Sequence, residues 1–115
     1  MQIESYIVPS FNYFKIGERL TADELIILQN RMDELMKTGS RYFIYDLSEL
    51  NYLTSSGIRI FIKAQKQLQL FDGHIQLISP KNNVKQLLEI AELLELLKVH
   101  DDIFQAINEL QKNNL

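Results

Sequence analysis

Thr54, Ser55 and Ser56 place three side-chain hydroxyls in a row, closed by Gly57. Such oxygens can attack an electrophile, take up a phosphoryl group or cap a helix. Attack needs a general base within hydrogen-bond reach and donors aimed at the developing oxyanion. The two histidines, His74 and His100, open and close other apolar runs, away from Ser55 in sequence. No Gly-x-Ser-x-Gly elbow surrounds Ser55, and four glycines in all leave no glycine-rich phosphate cradle. Hydrolase and nucleotidase chemistry are therefore not expected, and the chain reads as non-enzymatic, with no cofactor and no metal. Asp46 invites comparison with a receiver-type phosphoaspartate. That chemistry needs an acidic pair to hold Mg²⁺ and an opposing lysine, whereas Met1 to Ser10 offers only Glu4. Asp46 is read as a turn or strand-end residue.

A change of hydrophobic period positions the hydroxyls. Phe43 to Leu47 is apolar, aromatic or β-branched apart from Asp46, which suits a buried strand. Beyond Leu53, the residues Ile58, Phe61, Ile62, Gln65 and Leu68 fall at helical intervals, with Arg59, Lys63 and Lys66 on the other side. A helix is predicted over Ser55 to Phe71, with one of the preceding or first hydroxyls as its N-cap. Free first-turn amides and the positive dipole end favour an anion there by about 0.3–1 kcal/mol at an exposed site. Taken on residue types alone, such a cluster is structural capping.

The remaining elements follow similar signals. Ile3 to Val8 and Phe11 to Ile16 read as strands of an opening hairpin about Pro9-Ser10. Thr21-Ala22-Asp23-Glu24 has capping-box spacing for a helix to about Lys37, with Leu25, Leu28, Met32, Leu35 and Met36 inward and Gly39 as the stop. Arg41 to Leu47 and His74 to Ile78 are predicted strands, the second entered through a turn at Asp72-Gly73. A third helix is expected from near Ser79-Pro80 towards Ala91, because proline fits a first helical turn. Leu96 to Val99 is a short final strand or, by periodicity alone, part of a helix continuing from Leu87 to Leu97. Asp101 and Asp102 offer caps for a last helix through about Gln111, and the tail from Lys112 is expected to fray. Strands alternating with helices after a hairpin give an α/β fold built from βαβ crossovers.

With 115 residues, 46% of them hydrophobic, the chain is read as one small domain over residues 1–115. It has no cysteine, which removes disulfides and thiolate metal sites. No apolar run reaches the roughly 18–20 residues of a membrane span, and the start lacks signal-peptide order. A cytoplasmic location without membrane insertion is the expectation. A formal charge of −3 argues against direct nucleic-acid binding, since phosphate neutralisation supplies most non-specific affinity.

The stretch from Phe43 to Ile58 resembles the signature of the STAS domain family, the sulphate transporter and anti-sigma factor antagonist domains. Its pattern is an apolar strand, a leucine-rich turn and Asp-Ser-Ser-Gly-Leu-Gly opening a helix. Asp72-Gly73 with His74 to Pro80 resembles the family's turn, next strand and Ser-Pro exit. Val84 to Leu88 resembles its following helix, Leu96 to Val99 its last strand, and Gly17-Glu18 the start of its Gly-Glu-Leu-Asp element, whose closing Asp is absent because the chain runs on into Arg19-Leu20-Thr21. The resemblance implies a mixed sheet of about five strands with about four helices. Thr54 stands where the antagonist branch usually has Asp, Arg59 where the motif has its second Gly, and Glu92 where a Gly is usual.

For function, the resemblance implies an anti-sigma factor antagonist. It would bind an anti-sigma factor that is also a serine kinase, free a sigma factor, and be switched off by phosphorylation at Ser55, with Ser56 as alternative acceptor and a serine phosphatase reversing the step. The expected partner-binding residues are Tyr52, Leu53, Thr54, Ser55, Ser56, Gly57, Arg59 and Ile60, the apolar ones forming a docking patch. Arg59, four residues after Ser55, is placed to pair with the phosphate. The other reading within the family is an unphosphorylated scaffold, or a small subunit of a lipid or anion transport or signalling complex.

Overall fold

Residues 10–113 are described by the structure, a computed structural model. The order is β1 (Asn12–Lys15), α1 (Ala22–Lys37), β2 (Tyr42–Asp46), α2 (Ser55–Gln69), β3 (His74–Ile78), α3 (Asn82–Ile90), β4 (Val99–His100) and α4 (Ile103–Asn113). The four described strands run parallel in the order β1-β2-β3-β4. Strands added in sequence order by crossovers of one hand carry their helices on one face. The core reflects this. Phe43, Tyr45, Ile75 and Leu77 pack with Leu28 and Met32 of α1, Phe61 and Leu68 of α2, and Val84 and Leu88 of α3. The alternate strand residues Ile44 and Ile78 face the other way, against Ala106 and Leu110 of α4.

The expected strand Ile3–Val8 and its turn at Pro9 lie outside the described residues, and with them the antiparallel pairing that would make the sheet mixed. Within them, Thr21 caps α1 by accepting the Glu24 amide at 3.2 Å. Gly39 closes that helix at φ 103°, while the Ser40 amide donates to Leu35 O at 2.9 Å. Gln65 earns its place on the inner face of α2 because its Oε1 accepts the Ile75 amide at 2.8 Å.

Not every boundary matches expectation. Helix α3 starts at Asn82 after an N-cap at Lys81, not near Ser79-Pro80. Ser79 instead takes φ 55°, donates its amide to His100 O and its hydroxyl to Asp101 O, and so joins β3 to the β4–α4 corner. Helix α3 ends at Ile90, in keeping with the expected run towards Ala91, although Glu92 is not glycine. Glu92 adopts φ 57°, its amide donating to Glu89 O and that of Leu93 to Leu88 O, the pattern of a Schellman cap. The Leu96 to Val99 strand shrinks to Val99–His100, because the Leu97 amide still donates helically to Leu93 O at 3.0 Å. Asp102 caps α4 through the Gln105 amide at 3.0 Å, and the helix includes Lys112 and Asn113 of the expected fraying tail.

Candidate functional site

Of the three hydroxyls, Thr54 is the cap. It has extended backbone (φ −83°, ψ 162°), and its Oγ1 accepts the Gly57 amide at 3.1 Å. Ser55 and Ser56 are therefore the first two helical residues, both exposed, and neither hydroxyl has a hydrogen-bond partner among the described residues. No acidic side chain occupies the first turn of α2. The local field there is that of the helix amino end, uncompensated by a carboxylate within that turn.

The loop before Ser55 is pinned from three sides. Leu50 and Leu53 are buried. The Asn51 amide donates to Glu18 O at 3.1 Å, next to the β1–α1 turn. From the start of α3, Lys81 Nζ donates to Asn51 Oδ1 and Asn83 Nδ2 to Asn51 O, both at 2.6 Å. Three connections at the carboxyl ends of the parallel strands thus meet at Asn51, a residue that sequence spacing did not mark.

The docking patch needs correction. Tyr52 is exposed, but Leu53 is buried and belongs to the core, so it is withdrawn as a contact residue. Gly57 is buried as well; a Cβ there would come within 2.9 Å of Leu53 Cδ1, so the glycine gives Leu53 room beneath the turn. Ile60 is half-buried and lies at the seam between α2 and α1 with Met32 and Met36. Arg59 is exposed and forms no ion pair among the described residues.

Neither histidine is placed to serve Ser55 as a base. His74 starts β3, at the opposite end of the sheet from the α2 amino end, and His100 pairs with Ile78 beside α4. Asp46 ends β2 with both carboxylate oxygens engaged, one by the Tyr13 hydroxyl and one by the Ser48 amide at 2.9 Å. Burial pulls its pKa upward, but those bonds and Lys15 outweigh it and hold the carboxyl below its ordinary range. Asp46 is a clamp between β1 and β2. Among the described residues no three His, Asp or Glu side chains gather as a metal site, and no helix is long and apolar enough to cross a membrane.

A parallel α/β sheet whose central helix presents a free serine at its amino end defines a class. Residues 2–109 match the model of the STAS domain, and the chain belongs to that family. A Thermotoga neapolitana homologue of TM1081, named as a candidate anti-sigma factor antagonist, is 27% identical over 79 residues, 69% of this chain and 70% of that protein. The anti-sigma-B factor antagonist of Staphylococcus aureus is 23% identical over 101 residues, 88% of this chain and 94% of that one. Among solved structures, unphosphorylated SpoIIAA, an anti-sigma factor antagonist, superposes with a TM-score of 0.78 at 12% identity over 94% of this chain and 97% of its own. At that identity the likeness speaks for the fold.

Proposed function

We propose that this STAS domain is an anti-sigma factor antagonist that binds an anti-sigma factor with serine-kinase activity, releases a sigma factor, and is switched off by phosphorylation of Ser55. The observation that carries the reading is the division of labour at the α2 start. Thr54 does the capping, which leaves the Ser55 hydroxyl exposed and unbonded for another protein to modify. The names of the relatives support the antagonist role. A further structural neighbour, SpoIIAA of Bacillus in its phosphorylated form, supports the modification (TM-score 0.61, 10% identity).

The kinase supplies the base and ATP; Ser55 Oγ takes the γ-phosphoryl group, its proton leaves with the base, and ADP departs. The phosphate adds about −1.5 to −2 charge at a helix amino end, where its own domain tolerates it. The switch therefore acts on the partner, by charge and bulk at an interface of Tyr52, Thr54, Ser55, Ser56 and Arg59 edged by Ile60. A serine phosphatase restores binding. Intact-mass measurement after incubation with ATP and candidate kinases tests the step. A single added phosphate in the wild type, retained in Ser56→Ala and lost in Ser55→Ala, is expected. Thr54 in place of the usual Asp favours the second reading, a constitutive scaffold or transport-complex subunit. An unmodified chain that co-purifies with a transporter ATPase establishes that reading instead.

A further inference from the structure

The face of the sheet under α4 is unlike the face under α1 to α3. Its strand residues include His74 and Gln76 on β3 and His100 on β4. His74 is 6% exposed and sits edge-on to Tyr42, ring centroids 5.2 Å apart. Neither of its ring nitrogens has a hydrogen-bond partner among the described residues, nor do Gln76 Oε1 and His100 Nε2. Gln76 Nε2 is satisfied by Ala106 O of α4 at 3.2 Å. Lys98, just before β4, reaches Glu109 of α4 at 3.0 Å. Buried polar groups left without partners weaken the layer that covers them. That layer is thin: Ile44, Ile78, Ala106 and Leu110 form its own small cluster, apart from the main core.

We propose that α4 is an acid-releasable layer, in which protonation of His74, and of His100 towards the other end of β3, detaches α4 from the sheet while the body of β1 to β3 with α1 to α3 stays folded. An imidazolium there loses its hydration, a loss that the Ile75 backbone and the Glu109 charge offset only in part. The charges facing the pair divide. Lys98 opposes protonation and Glu109 favours it at both histidines, Asp101 and Asp102 favour it at His100, and His100 opposes it at His74. Burial outweighs the favourable charges at both, and holds His74 down to about 4 from 6.5. The released helix exposes the ring to water, where it titrates normally. Release therefore becomes easier as pH falls from about 6.5 towards about 4, and is indifferent to pH above that window.

Amide hydrogen exchange on the whole chain at pH 7.5 and pH 5.0, corrected for intrinsic rates, tests the proposal. The opening constant of α4 should rise about tenfold or more between the two, with α2 unchanged. His74→Phe, which keeps the ring against Tyr42, should remove most of the rise. An α4 response that is absent, shared by α2 or undiminished in the variant overturns the proposal. If the variant does not fold, an NMR titration of wild-type His74 decides. A midpoint well below 6.5 supports the proposal and an ordinary midpoint overturns it.

Discussion

Thr54 Oγ1 accepts the amide of Gly57 across the first turn of α2, and that bond releases Ser55 from structural duty. Removing it separates stability from signalling. Thr54→Ala is expected to lower unfolding free energy by about 1 kcal/mol, as for other N-caps, while Thr54→Asp keeps the cap and loses little. Urea denaturation of both variants measures this. Ser55→Ala, which breaks no observed hydrogen bond, should leave the unfolding free energy within about 0.5 kcal/mol of the wild type.

Gly73 supplies a control far from Ser55. A Cβ there would lie 2.3 Å from Arg41 O, a backbone atom with nowhere to move. Gly73→Ala is expected to cost about 1–3 kcal/mol, the usual range for overpacking. Partner affinity measured where the variant is fully folded should stay at the wild-type value.

Arg59 lies one helical turn beyond Ser55 with no competing ion pair among the described residues. An i,i+4 pair on a helix surface contributes about 0.2–0.5 kcal/mol. Arg59→Gln should therefore quicken phosphatase removal of the Ser55 phosphate by only about twofold. Equal dephosphorylation rates would show that Arg59 does not hold the phosphate.

Tyr13 and Asp46 join β1 to β2, and their titrations carry opposite signs. The bond to Asp46, then burial, raises Tyr13 to about 12 from 10.0, so its stabilising contribution is present below pH 10 and is lost as pH rises towards 12. Asp46 is lowered, so its contribution is present above its unfolded pKa and is lost as pH falls through the folded value. The stability difference between wild type and Tyr13→Phe should shrink at both extremes. A difference that does not vary with pH would remove the coupling.

Much of this arrangement is legible in residue order. The change from strand to helix spacing around Thr54, the Thr21 cap and the inward Gln65 all follow from local period and capping chemistry. The failures share a cause: they depend on groups distant in sequence. Ser79 looks like a cap, but it spends its hydroxyl on Asp101. Leu53 looks like an exposed loop residue, yet the missing Cβ of Gly57 lets it sink into the core. Asn51 is tied to Lys81 and Asn83 some thirty positions away, with no local pattern to announce it. The unpartnered imidazole of His74 becomes visible only once α4 is laid over β3.

The central claim is that one phosphate on Ser55 weakens recognition without disturbing the domain. Calorimetric titration of the serine-kinase anti-sigma factor with unmodified and Ser55-phosphorylated protein measures it directly. The account predicts that Kd rises at least about tenfold, equivalent to about 1.4 kcal/mol, while the thermal midpoint is unchanged. Equal affinity of the two forms would contradict it.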